Sequence, residues 1–435
     1  MEKKKIVILG AGFGGIKTAF LLCSKLKKIK LLDKYEINLV DRNAYHTYAP
    51  TLYEIATTSK DLANQVQLRE IVTFNLKEIF EGKDINLLQK VITDIDLAEG
   101  DIHFAPSLAG QAEKLKFDYL VIALGSETNY YGIPGLQENS LTLKSFKDAL
   151  MIRDAIWEKV DSGEKELKIV VGGGGSTGVE LAGEIKSWLC QLDEELKHCQ
   201  ASVKIIEGRE TVLSGFDQRI VKKVMKRLKK IGVELLLNEL IEKVEPKKIT
   251  LKSKQVVDFD IFIWTGGVKA SSIANALPLK KEEKKQQVQV ADQMECLPQT
   301  SDLKLYGKIY GLGDAVCFYN PETNRPVPKV AEAAINQAYV IAHNLIEDIK
   351  VSEGLSKQAE HKKYHPEKEF PYVIPVGGKY AVAKVGNLVI SGFFGWVLKG
   401  LVEIYYLLLN VLPPFQAFKI WLKGLRIFAR NDRLG

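Results

Sequence analysis

The chain has 435 residues, 46% of them apolar and 26% charged, which excludes a fibrous or wholly disordered protein and leaves room for two or three domains with their own cores. Its net charge of +7 is uneven: from Pro371 to Gly435 eight cations face only Glu403 and Asp432, so the first 370 residues carry +1. The basic character therefore belongs to the tail, pointing to an anionic surface and away from general nucleic-acid binding.

In chain order, Met1–Lys5 is a short charged lead without the apolar core of a signal peptide, so the body is expected to stay cytoplasmic. Ile6–Leu9 reads as a buried strand, followed by the turn Gly10-Ala-Gly12-Phe-Gly-Gly15, a helical stretch, and a second strand, Ile37–Asp41, ending in an acid. The same device returns as Ile169–Gly172, the turn through Gly173, Gly175 and Gly178, a helix, and Val203–Glu207. Such a turn cradles a dinucleotide. The first glycine makes the bend, the second lets backbone approach a pyrophosphate, and the third lets the helix pack close with its N-terminus towards the phosphates. The terminal carboxylate receives the ribose hydroxyls. One such pattern is weak; two in full strand–turn–helix–strand–acid context are specific.

Tyr119–Gly125 and Asp260–Gly267 read as strands that close each dinucleotide domain, and Gly307–Asp314 as a further strand ending in Gly-Asp. The expectation is an α/β protein with two Rossmann-like domains. The first is discontinuous (1–140 and 270–370), the second is inserted at 141–269, and 371–435 forms a C-terminal region. Lys280–Gln287 reads as a solvated turn, and Lys350–Phe370 as an exposed loop. The cysteines Cys23, Cys190, Cys199, Cys296 and Cys317 form no C-x-x-C or C-x-x-x-x-C pair, so they read as scattered reduced thiols, and no metal site is expected.

These residues resemble type II NADH:quinone dehydrogenases, within the two-dinucleotide flavoprotein superfamily that includes the disulfide reductases and shares the glutathione-reductase-like fold. The similarity rests on the first turn with Asp41, on Asn43–Glu54, on Ala123–Gly135, on Trp264–Ala270 (with Gly266 where the family has alanine) and on Gly313-Asp314. It implies FAD held by Gly10, Gly12, Gly15, Asp41, Gly313, Asp314 and Ala331, and NADH by Gly173, Gly175, Gly178, Glu207 and Gly266. A carboxylate at Glu207 favours NADH over NADPH, although Arg209 lies close by. The resemblance further implies a membrane quinone as acceptor, with Glu180 handling its protons. The bland alternative for Glu180 is an acid that suits a helix N-terminus, and Glu184 reads as structural. The quinone side departs from the family: Ala331–Gln337 carries Glu332 and Asn336 in place of two glutamines. Glu332, Asn336, Gln337 and Lys379 are the quinone-side candidates. His46 reads as a structural histidine, and Lys379 and Lys384 as solvated lysines or quinone donors.

In the tail, Pro413-Pro414 separates two apolar stretches. The first, interrupted by Lys399 and Glu403, falls short of an uninterrupted spanning run. In the second, at about 100° per residue, Lys419, Lys423, Arg426, Arg430 and Arg433 share one arc of roughly 80°, opposite Phe418, Trp421, Leu422, Leu425 and Phe428. This is the pattern of a helix lying in a membrane interface, at the cytoplasmic face. Its alternative is a helix packed on the protein's own core or on a second copy in a homodimer. The whole reads as a peripheral, non-pumping NADH:quinone oxidoreductase. The rival readings are a sulfide:quinone oxidoreductase, for which Cys296 and Cys317 are the pair to test, a soluble NAD(P)H reductase of an electron-carrier protein, and a nucleotide-sensing flavoprotein.

Overall fold

The computed structural model describes residues 2–106, 113–163, 166–192 and 201–432. The chain folds as two compact units, one of residues 1–46, 74–127 and 268–370, the other of 47–73, 128–267 and 371–435.

In the first unit, strand Lys4–Leu9 pairs in parallel with Tyr35–Asp41 on one side and Tyr119–Ile122 on the other. Asn86–Gln89 and Lys308–Gly311 complete a five-stranded parallel sheet in Rossmann order, 3-2-1-4-5. Ile6, Val7, Ile8 and Leu9 are fully buried, as expected of a strand covered on both faces. Helix Phe13–Lys28 follows the first glycine turn and packs along helix Ala331–Ser352. A three-stranded antiparallel meander, Ile92–Asp96, Asp101–Phe104 and Glu113–Lys116, sits between the third and fourth strands of the chain path.

The second unit repeats the plan. Lys168–Gly172 lies between Ser202–Glu207 and Ile261–Trp264, with Val233–Leu237 beyond the former. The fifth place is filled by Leu141–Thr142, which precedes the others in the chain. Here too a meander, Ile241–Glu245, Lys248–Leu251 and Val256–Asp258, comes before the fourth strand. An antiparallel sheet of Tyr372–Pro375, Ala381–Val385 and Leu388–Gly392 leads into helices Phe393–Asn410 and Pro414–Asn431.

This division differs from the expected one at three places. Residues 128–140 lie in the second unit, where the Trp264 indole and the Val244 amide donate to the Asn129 and Pro134 carbonyls and Leu136 is part of the core. Residues 47–73 join the second unit because the buried helix Leu52–Ala56 packs on helices Phe146–Asp161 and Ser176–Leu192. Residues 371–435 join it too: the Arg227 guanidinium donates to the carbonyls of Val376 and Gly377 at 3.1 and 2.8 Å. The segment after helix Ala331–Ser352 is likewise no free loop. Asn344 donates to the Lys362 carbonyl and accepts from its amide, His361 pairs with Asp348 at 2.8 Å, and Tyr364 is buried.

Candidate functional site

At the first turn Gly10 has φ +104°, and a Cβ there would collide with the Ala123 carbonyl at the end of the fourth strand. A Cβ on Gly15 would collide with the Gly10 carbonyl, whereas Gly12 has nothing within 4 Å. The turn is thus closed where strand and helix meet and open at its second glycine, where a phosphate group would approach. Asp41 braces it: one carboxylate oxygen accepts the Ala11 amide and the other the Asn43 amide, both at 2.7 Å. Each oxygen keeps acceptor capacity for a hydroxyl.

The second turn repeats the plan. Gly173, at φ +103°, lies against Gly266; a Cβ on Gly178 would strike the Gly173 carbonyl; Gly175 is open. Glu207 accepts the Gly174 amide at 2.6 Å and the Arg209 amide at 2.8 Å. Arg209 thus presents its amide to Glu207. Gly266 has its own cause. The Trp264 indole donates to the Asn129 carbonyl at 2.8 Å, and in that position its ring fills the space a Cβ on Gly266 would need.

The Gly313-Asp314 turn sits at the carboxyl end of the fifth strand, against the start of helix Ala331–Ser352. Gly313 has φ +68° and donates its amide to Gln337 at 2.8 Å; Ser126 donates to the Asp314 carboxylate at 2.9 Å. Gln287, expected in a solvated turn, is buried and donates to the Asp314 carbonyl at 2.7 Å. It is a brace of this turn that the polar run Lys280–Gln287 concealed. His46 is also a brace: 2% exposed, with Nδ1 3.0 Å from the Ala11 carbonyl and its pKa lowered to about 4 by burial. Its neutral ring donates to the first turn.

Gly10, Gly12, Gly15, Asp41, Gly313, Asp314 and Ala331 are therefore all in the first unit, at the carboxyl ends of one sheet. Gly173, Gly175, Gly178, Glu207 and Gly266 hold the equivalent places in the second. Glu180, in the opening turns of helix Ser176–Leu192, is half-buried. Burial pushes its carboxyl up to about 8, against the pull of the Lys399 ammonium. Glu184, one turn on, is buried and accepts the Gly378 amide at 3.1 Å.

Beside these acids the second unit assembles a charged cluster that sequence reading did not join. Lys399 pairs with Glu54 at 2.5 Å and with Glu403 at 3.0 Å, and all three side chains are largely buried. Burial raises Glu54 above the usual carboxylate range, with Lys399 opposing. One ammonium thus faces two carboxylates, and Glu54, the deeper of the two, is the one that burial shifts towards its protonated form. Asp432 is also raised by burial and accepts from the Trp396 indole at 3.0 Å. The available signal was the i,i+4 pair Lys399 and Glu403 inside an apolar run. Glu54, 345 residues away from Lys399, carries none.

The quinone-side candidates are divided. Gln337 is committed to Gly313, Glu332 is exposed, and Asn336 is half-buried on the same helix. Lys379 belongs to the second unit. Lys384 is not solvated: it is buried and pairs with Asp217 at 3.1 Å, at the N-terminus of helix Gln218–Lys230. Cys23, Cys296 and Cys317 are free and buried, but Cys190 is disulfide-bonded, a pairing that the short-spacing test does not reach. Cys199 and Arg433 lie outside the described residues. Among the described residues no cluster of His, Cys, Asp or Glu has the makings of a metal site.

The tail also differs from expectation. Helix Phe393–Asn410 does reach the length and apolarity of a spanning segment, with mean hydropathy 1.2 over 18 residues. Its two charges turn inward and pair, leaving Phe394, Leu401, Val402, Tyr405 and Leu409 exposed. In the second helix Ile427 and Phe428 are buried, and Trp421 donates to the Gly400 carbonyl at 2.7 Å, so much of its apolar side packs on the protein itself. Lys419, Arg426 and Arg430 are exposed; Lys423 pairs with Glu70.

A family model of pyridine nucleotide-disulphide oxidoreductases matches residues 4–338. The type II NADH:quinone oxidoreductase Ndh of Mycobacterium tuberculosis is 26% identical over 431 residues, covering 94% of this chain and 85% of that protein. The type II NADH:quinone oxidoreductase of Haemophilus influenzae is 28% identical over 371 residues, 79% of this chain and 80% of its own. Among solved structures, NDH2 of Plasmodium falciparum in complex with NADH superposes with a TM-score of 0.79, at 19% identity and 99% coverage of both chains. The sulfide:quinone oxidoreductase of Aquifex aeolicus does so with 0.72, at 18% identity, 98% of this chain and 95% of that one.

Proposed function

The chain belongs to the pyridine nucleotide-disulphide oxidoreductase family, and from this we propose that it is a type II NADH:quinone oxidoreductase, associated with a membrane. The observation that carries the reading is the pair of matched turns. Each has its second glycine open and its acid braced, so the chain is built to hold two dinucleotides. The first unit fits FAD: Gly12 leaves the cradle a Cβ would narrow, Asp41 meets the ribose, and Asp314, fixed by Ser126 and Gln287, meets the ribityl chain. Ala331 opens a helix whose N-terminus favours negative charge. The second unit fits NADH, with Glu207 accepting from the 2′-hydroxyl and repelling the 2′-phosphate of NADPH.

FAD held there would supply two-electron redox chemistry between NADH and a quinone. The chain's own residues orient the two nucleotides and supply protons. Glu180 is the proton donor of this reading, because a carboxyl raised to about 8 still holds its proton at neutral pH. The exposed face of helix Phe393–Asn410 is the lipid-facing surface. The helix lies along the membrane rather than across it, since Lys399, Glu403, Tyr406 and Leu407 on its other face are buried against the protein. The sulfide:quinone alternative loses its footing at Cys296 and Cys317, where burial raises both thiols away from the reactive thiolate.

Anaerobic mixing tests the reading. NADH should bleach the flavin, NADPH should do so at least about tenfold more slowly, and a short-chain quinone should restore the colour. A flavin that NADH leaves oxidised would overturn the donor assignment; colour that no quinone restores would overturn the acceptor.

A further inference from the structure

The tail is not the only basic surface of the second unit. Helix Gln218–Lys230 carries Arg219, Lys222, Lys223, Lys226, Arg227, Lys229 and Lys230 and no acid. The count that assigns +1 to the first 370 residues hides this, because acids elsewhere cancel it. At about 100° per residue the exposed cations Arg219, Lys222, Lys223, Lys226, Lys229 and Lys230 fall within roughly 120°. Ile220, Val221, Val224 and Leu228 are buried on the opposite side. Lys222, Lys226, Lys229 and Lys230 make no ion pair among the described residues. Like charges three and four residues apart repel one another, which weighs against the helix dipole's preference for cations in its last turn.

Its position supplies the reason. The helix packs on strands Ala381–Val385 and Leu388–Gly392, the hairpin that delivers the chain into helix Phe393–Asn410. Lys223 donates to the Ser391 hydroxyl at 3.2 Å and Arg219 to the Asn387 carbonyl at 3.2 Å. Ser391 is three residues before Phe394, which is 75% exposed, and Val385 and Leu388 at the hairpin turn are exposed as well. The first turns of the basic stripe thus lie beside the hairpin that begins the apolar face. Cations flanking exposed aromatic and aliphatic side chains form the combination that seats a protein on anionic lipid.

We propose that helix Gln218–Lys230 is a second membrane-contact element, whose lysines bind anionic phospholipid headgroups while the neighbouring apolar face enters the acyl boundary. This rests on the membrane reading above. The headgroup contact makes docking depend on lipid charge, a property the apolar face alone would not confer.

The FAD-loaded full chain carrying Lys222→Gln, Lys226→Gln, Lys229→Gln and Lys230→Gln tests it by flotation. The vesicles are either pure phosphatidylcholine or phosphatidylcholine with phosphatidylglycerol. Wild-type partition should rise with phosphatidylglycerol and fall with salt. The variant should lose at least about tenfold on the anionic vesicles, since each lysine near such a surface contributes about fivefold. It should match wild type on neutral vesicles and in NADH oxidation with a soluble quinone. The same four positions as arginine should restore partition. A Phe394→Ser, Leu401→Ser variant should lose binding to both vesicle types, which separates the two surfaces. Wild-type partition by the glutamine variant on anionic vesicles would overturn the proposal and leave the membrane reading standing. Failure of the wild type to float with either vesicle would end both. A change of mass in solution on removing the lysines would assign the stripe to a second copy of the chain, and would equally overturn it.

Discussion

Glu180 is an acid whose ordinary pKa would leave it ionised at neutral pH and unable to donate. Burial changes that, raising the carboxyl to about 8 although the Lys399 ammonium pulls it down. The protonated form is then present below about pH 8 and lost as the pH rises through it, so quinone reduction should slow above that value. Glu180→Gln should be slower, by about tenfold or more, and should lose the pH dependence. Its flavin should still be bleached by NADH within about twofold of the wild-type rate, because that step does not need the proton. Rapid-mixing measurements of the two half-reactions from pH 6 to 9 check this; a glutamine variant that keeps the wild-type pH profile would remove Glu180 from the role. At this scale the geometry of the two turns was largely readable, because each glycine and each acid acts within its own turn. The acids lie 31 and 34 residues after the first glycine of their turns, yet the strand register brings them back. His46 and Gln287 were not readable as braces, since the carbonyls they hold are placed by other segments.

Among the elements, helix Phe393–Asn410 shows why a hydropathy reading stops short. Lys399 and Glu403 interrupt its apolar run in sequence but pair on its inner face with Glu54, so its outer face is as apolar as a lipid-contacting surface requires. The cluster should also set the stability of the second unit. Glu54, raised by burial, favours the fold at low pH, and that contribution is lost as the pH rises and the carboxyl ionises; Lys399 softens the loss. Lys399→Met removes the cation that pairs with both carboxylates and should destabilise by about 3 kcal/mol. The penalty should be larger at pH 9 than at pH 6, because the protonated carboxyl needs no partner. Thermal melts of both proteins across that range measure it. A deficit that is constant with pH would mean that Lys399 contributes packing along its stem rather than charge. The amphipathic pattern of Pro414–Asn431 was legible in the same sequence. Which surface its apolar side meets was not, since Ile427 and Phe428 answer to residues far away in the chain.

For the whole molecule, composition suggested a body with a basic appendage after residue 370, and the contacts argue against an appendage. The Arg227 guanidinium ends on Val376 and Gly377, Glu184 accepts from Gly378, and a Cβ on Gly183 would strike the Gly377 amide. Asn431 donates to the Thr57 carbonyl at 3.1 Å and accepts from the Ser59 amide at 3.0 Å, so even the end of the last helix is tied in. Each bond spans more than 140 residues, a distance over which local pattern carries no signal. A chain ending at Phe370 would take these partners away from Arg227 and Glu184. The faces of helices Ser176–Leu192 and Gln218–Lys230 that meet the C-terminal sheet would be bared as well. Truncation should therefore do more than abolish flotation: the second unit should lose its cooperative melt and its affinity for NADH. Phe394→Ser with Leu401→Ser should instead float poorly while melting and binding NADH as the wild type does, since both side chains are exposed. Calorimetry and NADH titration on the two proteins distinguish the cases. A chain ending at Phe370 that melts and binds NADH like the full protein would show residues 371–435 to be a detachable anchor after all.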